Sequence, residues 1–340
     1  MLLQRRALRC IVPFIENKIN IFPGKEVFSM AYNIEEKLVI GVASSALFRL
    51  DEADEIFRSK GLAAYRAYQR EHQNDILRTG IAYPFIKRFL HINEIFPEEH
   101  PVDVVLLSHN DPDTGARVMQ SIRHYNLPIH LAAFTTGASP YAYIPAYNVS
   151  LFLSANENDV RPAASQGFAA GQVLDSAAID DENDHELRIA FDFDGVIADD
   201  SAEMIYKAGG LALFHMTENA NAANPLPQGP LAGLLSKLAK IRAMEEALEE
   251  KDPAYQRFLK TAIVTARSAP ADQRIVSTLR QWDISVDQTF LLGGIDKGRA
   301  LSILKPHIFF DDQRHPHLDS SSPYTPSVHI PFGVLNSRKM

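Results

Sequence analysis

The run Leu187-Arg-Ile-Ala-Phe-Asp-Phe-Asp-Gly-Val-Ile-Ala-Asp-Asp200 decides the fold. Leu187 to Phe191 predict a short buried strand, and two carboxylates, Asp192 and Asp194, follow directly at its carboxyl end. An Asp-x-Asp in that place can do two jobs on a phosphate ester. One carboxylate attacks phosphorus, and the other manages the proton of the leaving group. The tripeptide alone is common, so its weight depends on what surrounds it.

Outward from this run, short apolar stretches alternate with helical ones. Strands are expected at Leu38–Ala43, Val102–Ser108, Ile129–Thr135, Val149–Leu153, Leu187–Phe191, Ala262–Thr265, Thr289–Leu292 and His307–Phe310. That rhythm reads as βαβ units around a mostly parallel sheet, an α/β fold. The polar, acidic stretch Ile179-Asp-Asp-Glu-Asn-Asp-His-Glu186 reads as a linker between two halves.

The halves resemble each other. A shift of 149 positions lays Asp51, Ala53, Gly61, Leu62, Ala63, Leu77 and Gly80 on Asp200, Ala202, Gly210, Leu211, Ala212, Leu226 and Gly229. A shift of 157 then lays Arg117, Arg123, Gly137 and Phe152 on Arg274, Arg280, Gly294 and Phe309. Identities are sparse, but the register holds over long blocks, and duplication is the better reading. Under it Asp192 falls opposite Ala43, Asp194 opposite Ser45, Thr265 opposite Ser108, Lys297 opposite Pro140 and Asp311 opposite Ser154. The first copy keeps the scaffold and loses the carboxylates and the lysine, so it is not expected to catalyse.

Composition narrows the function. The 340 residues, 46% hydrophobic and 22% charged, fit two ordinary domains or one large one. A net charge of −8 argues against a nucleic acid polymer as partner. The single Cys10 excludes an internal disulfide and fits a reducing, cytoplasmic setting. No apolar run approaches the ~20 residues that span a bilayer, so no membrane partner is expected. The basic N-terminus lacks the features of a cleaved signal. Residues 1–36 read as an extension, either a loose tail or an over-long start, with Met30 as an alternative first residue.

Three further elements accompany the Asp-x-Asp. Thr261-Ala-Ile-Val-Thr-Ala-Arg-Ser268 is a strand ending in Thr265, whose hydroxyl can hold a phosphoryl oxygen together with the following N–H groups, that of Ala266 first. Arg267 either adds a charged donor or faces solvent. Lys297, in Gly293-Gly-Ile-Asp-Lys-Gly298, can balance the charge shared by phosphate and aspartates. Pro306-His-Ile-Phe-Phe-Asp-Asp-Gln313 ends a strand in two carboxylates suited to Mg²⁺, which prefers oxygen donors. Asp311 is the expected metal ligand and Asp312 a supporting or alternate one, with Asp192 and Asp194 completing the acidic set.

The order Asp-x-Asp, Thr, Lys, Asp-Asp resembles that of the haloacid dehalogenase-like phosphohydrolases. The runs Val264-Thr-Ala-Arg-Ser-Ala269, Pro306-His-Ile-Phe-Phe-Asp-Asp312, Pro227-Gln-Gly-Pro-Leu231 and Val42-Ala-Ser-Ser-Ala-Leu-Phe48 are similar to the cytosolic 5′-nucleotidase type I family, over about residues 36 to 335. The resemblance implies Mg²⁺-dependent hydrolysis of nucleoside 5′-monophosphates through an aspartyl-phosphate. It makes Asp192 the nucleophile and Asp194 the acid/base, with Thr265 and Lys297 on phosphate and Asp311 on the metal. One position departs: eukaryotic members tend to read Asp-Gly-Asp-Ala where this chain has Asp192-Phe-Asp-Gly195.

The expected architecture is therefore two tandem Rossmann-like, haloacid dehalogenase-like parallel-sheet units. Residues 37–178 form the degenerate one and 187–335 the catalytic one, with an inserted helical cap at about 199–258. Helices are expected over Asp199–Phe214 and Gly229–Leu248, broken by Asn224-Pro-Leu-Pro-Gln-Gly-Pro230. Tyr206, Phe214 and His215 can stack on a base, although core packing is the commoner role for such residues. The first unit can serve as a substrate wall, an effector pocket or a homo-oligomer surface.

Two signals are discounted. Asp51-Glu-Ala-Asp54 lacks any accompanying phosphate-binding loop, and His315-Pro-His317 has the wrong spacing for a helix-borne zinc pair and reads as a solvated loop. A sugar-phosphate phosphatase of the same mechanism and a nucleotide-sensing binding protein with residual activity are the competing functions.

Overall fold

Leu38–Val42 (β1) and Val102–Ser108 (β2) are buried along their whole length. A strand buried at every position needs both faces covered, which places it inside a parallel sheet flanked by helices. A computed structural model describes residues 33–336; the expectation for residues 1–29 lies outside them. From Ile34 onward the chain forms one compact unit.

After β1 come α1 (Ser44–Leu47), α2 (Asp51–Glu71) and α3 (Tyr83–Ile95), then β2, α4 (Ala116–His124), β3 (Leu131–Phe134), β4 (Val149–Ser154), α5 (Glu157–Ser165) and β5 (Ala170–Val173). The second half runs β6 (Leu187–Phe191), α6 (Ser201–Ala220), α7 (Ala232–Lys251), β7 (Leu259–Thr265), α8 (Asp272–Gln281), β8 (Gln288–Leu291), α9 (Lys297–Leu304), β9 (Ile308–Asp311), α10 (Asp319–Ser321) and β10 (Ser327–His329).

The ten strands of the described residues make one mixed, mostly parallel sheet in the order β3-β2-β1-β4-β5-β10-β9-β6-β7-β8. Read from the centre outward, the two halves have the same order: β5-β4-β1-β2-β3 on one side and β10-β9-β6-β7-β8 on the other. They meet at a single antiparallel pair, Val328 on Val173 and His329 on Gln172. All other pairings are parallel.

The seam has a geometric consequence. Ser154 pairs with Gln172, Gln172 with His329, and His329 with Asp311, so Ser154 and Asp311 share one row across four strands. Each ends its own strand, but the strands run in opposite directions. The carboxyl ends of β4 and β9 therefore lie level at this row and point in opposite directions.

Matching contacts recur in the two halves. Arg117 Nε donates to the Asp75 carbonyl at 2.9 Å, and Arg274 Nε to the Asn224 carbonyl at 2.9 Å. Leu77 N donates to Ser121 Oγ at 3.0 Å, and Leu226 N to Thr278 Oγ1 at 3.0 Å. The matched helices α2 and α6 also break at a matched glycine, α2 at Gly61 (φ 78°) and α6 at Gly210 (φ 68°). Side chains other than glycine seldom adopt that backbone, so the kink is written into the sequence.

The second helix of the expected cap behaves differently from the reading. α7 places Leu234, Leu235, Leu238 and Ile241 in the main core and packs on β1 and β4 of the other half. Its buried positions fall on one helical face, and that face meets the sheet. Much of α6 stays exposed. The linker is anchored too: buried Arg88 bonds Asp180 Oδ1 at 2.9 Å and the Asp181 carbonyl at 2.8 Å.

Candidate active site

The second half gathers its polar residues where β6, β7 and β9 end. Phe191 and Phe310 stack at 5.2 Å and lock β6 against β9, both rings fully buried. Burying each ring is worth about 1.5–3 kcal/mol, which makes the strand ends a rigid base. Asp192 follows β6 and donates its N–H to the Phe310 carbonyl at 2.7 Å. Asp311 is the last residue of β9.

Lys297 joins the two. It opens α9 just after Asp296, whose carboxylate caps the helix by accepting from Gly298 N at 2.6 Å. Its Nζ lies 2.9 Å from Asp192 Oδ2 and 2.6 Å from Asp311 Oδ2. All three side chains are buried. The remaining oxygens are bonded as well: Asp192 Oδ1 accepts from Phe193 N at 2.7 Å, and Asp311 Oδ1 from Gln313 N at 2.8 Å.

The electrostatics follow from burial and proximity. Burial pushes the Asp192 carboxyl up to about 6, against the opposing pull of Lys297. Burial acts the same way on Asp311, but the Lys297 ammonium and the His317 imidazole override it and hold that carboxyl below its ordinary range. Lys297 is itself raised: burial favours the neutral amine, and the two carboxylates outweigh it. The trio carries one net negative charge when ionised.

Asp312 sits beside this trio, buried, with Oδ1 unpartnered. Burial first, then the charges of Asp311 and Asp192, push it to about 9. Its carboxyl lies against Gly195, where a Cβ would come within 2.7 Å of it. Gly195 also has φ 72°, so the position needs glycine twice over. The Asp312 carbonyl accepts from Asn336 Nδ2 at 2.9 Å, which brings the end of the described chain to the site.

Asp194 and Arg267 form a second, separate pair. Arg267 Nε and Nη2 each lie 2.7 Å from a different Asp194 oxygen. Arg267 Nη1 bonds Glu218 on α6, and Glu218 Oε1 accepts from Arg274 Nη1 at 2.7 Å. Arg267 is buried, so the alternative of a solvent-facing side chain is closed. Thr265 ends β7, and its Oγ1 accepts from Arg267 N at 3.2 Å, which leaves the hydroxyl proton available. Ala266 is exposed at the same turn.

Three residues stand at the site that the sequence reading did not place there. His317, read as part of a solvated loop, is mostly buried, with Nδ1 3.2 Å from Asp311 Oδ2. His317 faces inward, while His315 remains exposed beside Asp319. Glu218 and Arg274 had no local signal, because their role exists only across the gap between α6 and α8. Of the aromatic residues singled out on α6, Phe214 is buried, Tyr206 is exposed, and His215 is partly buried with Nε2 unpartnered.

Acidic donors suit a divalent cation here. Asp192, Asp311 and His317 each offer a ligand atom, all within 4.8 Å of one another, and the orphaned Asp312 oxygen is a further acceptor. Oxygen-rich sets of this kind match a hard cation such as Mg²⁺.

Buried carboxylates and a lysine at the carboxyl ends of parallel strands define an α/β protein with a charged strand-end centre. The chain belongs to the 5′-nucleotidase family, whose sequence pattern matches residues 30–337. It is 34% identical over 281 residues to cytosolic 5′-nucleotidase 1B of Homo sapiens, a match covering 81% of this chain and 46% of that protein. The chain thus spans about half the length of that relative. Histidinol dehydrogenase from Elizabethkingia anophelis aligns with 86% of this chain and 52% of its own at 7% identity, but its TM-score of 0.21 carries no structural argument. No helix among the described residues is long and apolar enough to cross a membrane.

Proposed function

We propose that this protein hydrolyses nucleoside 5′-monophosphates to nucleoside and phosphate through an aspartyl-phosphate, in the cytoplasm. The observation that carries this reading is the buried Lys297 bridging Asp192 and Asp311 beside Asp194, in a chain of the 5′-nucleotidase family. In the first step an Asp192 oxygen bonds phosphorus while the P–O5′ bond breaks, and Asp194 gives its proton to the departing O5′. In the second a water attacks phosphorus, its proton passes to Asp194, and the bond to Asp192 breaks. Lys297 offsets charge on the phosphoryl group, and the Thr265 hydroxyl and Ala266 N–H hold its oxygens.

Mg²⁺ would be held by Asp192 and Asp311, with Asp312, Asp194 and His317 as the other candidates. When bound it supplies positive charge against that of the phosphate and the carboxylates. The matched strand order and matched contacts of the halves support two tandem haloacid dehalogenase-like units, of which only the second carries these groups.

The test is phosphate release from 5′-, 3′- and sugar monophosphates, with Mg²⁺ or EDTA, alongside Asp192→Asn. Release confined to 5′-nucleotides, dependent on Mg²⁺ and lost in the variant, is the expected result. Release from sugar phosphates would change the substrate, and binding without release would make the protein a sensor.

A further inference from the structure

The geometry points to Arg267 as the positioning residue of Asp194, coupling that carboxylate to helix α6, rather than as a phosphate donor. The inference rests on the reading of Asp194 as acid and base given above.

A guanidinium has five N–H donors arranged in a rigid fork. Two of them, on Nε and Nη2, hold both Asp194 oxygens at 2.7 Å. The Nη1 donors go to Glu218 and, at 3.4 Å, to the Ala271 carbonyl. At most one N–H is left, which is too few for the paired grip by which arginine binds phosphate. The flat faces are occupied as well. Phe193 lies 5.3 Å from the guanidinium carbon and Phe214 of α6 also 5.3 Å from it.

The anchor continues away from the site. Glu218 is buried and shared between Arg267 and Arg274, and Arg274 Nε bonds the Asn224 carbonyl in the turn that ends α6. The orientation of Asp194 is therefore set by how α6 sits. The first half supports the assignment. Under the repeat, Glu218 and Arg267 fall on Gln69 and Asn110, and there Gln69 Nε2 bonds Tyr65 OH, which bonds Asn110 Oδ1. Where position 45 is serine, no arginine is retained to orient it.

In this arrangement both Asp194 oxygens are engaged. To protonate O5′, Asp194 must give up one of its Arg267 contacts and carry on that oxygen the proton left by the water of the second step, while the other contact keeps it aimed. Arg267 thus acts on the step that needs a proton and not on phosphate binding.

The experiment compares the first-turnover release of two leaving groups by Arg267→Lys, Asp194→Asn and the double variant. A nucleoside 5′-monophosphate needs its leaving oxygen protonated; p-nitrophenyl phosphate does not. Arg267→Lys is expected to slow nucleoside release about 100-fold, the scale of general acid catalysis, and to leave p-nitrophenol release near the wild-type rate. The double variant is expected to be no slower than Asp194→Asn, since the two residues act as one unit. Equal slowing on both substrates with a raised KM would make Arg267 a phosphate ligand and overturn the inference, as would additive losses in the double variant. Glu218→Gln, which keeps shape and an acceptor, is the milder companion if Arg267→Lys does not fold. It should show the same leaving-group selectivity at smaller amplitude, and no selectivity overturns the coupling to α6. Wild type inactive on both substrates would instead sink the proposed function itself.

Discussion

The ring of Phe193 lies 5.3 Å from the guanidinium carbon of Arg267, under the residue that grips Asp194. Phe193 is fully buried, so its ring supports both the strand end and the arginine. Phe193→Ala removes that support and leaves a cavity. The expected loss is about 3–5 kcal/mol in urea unfolding, the usual range for a buried Phe→Ala. A loss below about 0.5 kcal/mol, within what surface substitutions cause, would show that the ring is not an integral part of the core.

Glu245 answers a different structural need. It is fully buried on α7 and accepts from Phe258 N at 2.6 Å, Leu259 N at 3.0 Å and Tyr255 OH at 2.6 Å. These donors belong to the chain entering β7. Glu245→Ala leaves two buried N–H groups unsatisfied, each costing about 1–3 kcal/mol. Calorimetry should show a clearly lowered unfolding temperature, and Glu245→Gln, which keeps one acceptor oxygen, should fall between. If Ala and Gln behave alike, the charge rather than the acceptor count is what matters.

These two residues also mark how far the sequence could be read. β1, β2, β6 and β7 were legible because they are apolar runs of adequate length, and the order Asp-x-Asp, Thr, Lys, Asp-Asp was legible because the Asp-x-Asp, the Thr and the Asp-Asp each close a strand. β5 and β10 were not. Ala170–Val173 and Ser327–His329 are short, contain Gly171, Ser327 and His329, and become strands only through their pairing at the seam. The antiparallel join was hidden for the same reason, since it depends on long-range pairing and not on local pattern. Arg267 remained ambiguous because its partners, Asp194 and Glu218, are 73 and 49 residues away in sequence. His317 was misjudged because helix spacing was the wrong rule for it.

The carboxylate centre should bind a cation in the absence of substrate. A ligand that binds only the folded state stabilises by about 2.7 kcal/mol at 100 times its dissociation constant. Added Mg²⁺ is therefore expected to raise the unfolding temperature of the wild type in a concentration-dependent way, with EDTA reversing it. In Asp311→Asn the increment should shrink or vanish, whatever that variant's stability without metal. Equal increments in both proteins would place the cation elsewhere.

His307 provides a pH dependence independent of the candidate site. It is buried at the start of β9, its Nδ1 accepting from Arg188 N at 3.0 Å. Burial first, and then the charges of Arg88 and Arg188, push it down to about 4. A histidine in the unfolded chain titrates near 6.5. Above that pH the ring is neutral in both states, and the stability is fully present. As pH falls below it, the unfolded chain takes up the proton first, and stability drains until the folded ring titrates near 4. The span corresponds to about 3 kcal/mol, from the free-energy equivalent of each pKa unit. Asp184 beside it is also held low and loses its own contribution as acid is added, so wild type alone cannot isolate the ring. His307→Gln keeps an acceptor for Arg188 N and removes the titration. Urea unfolding at pH 7 and pH 5 should show a smaller stability loss in that variant than in wild type; identical losses would mean that His307 is not kept neutral by the fold.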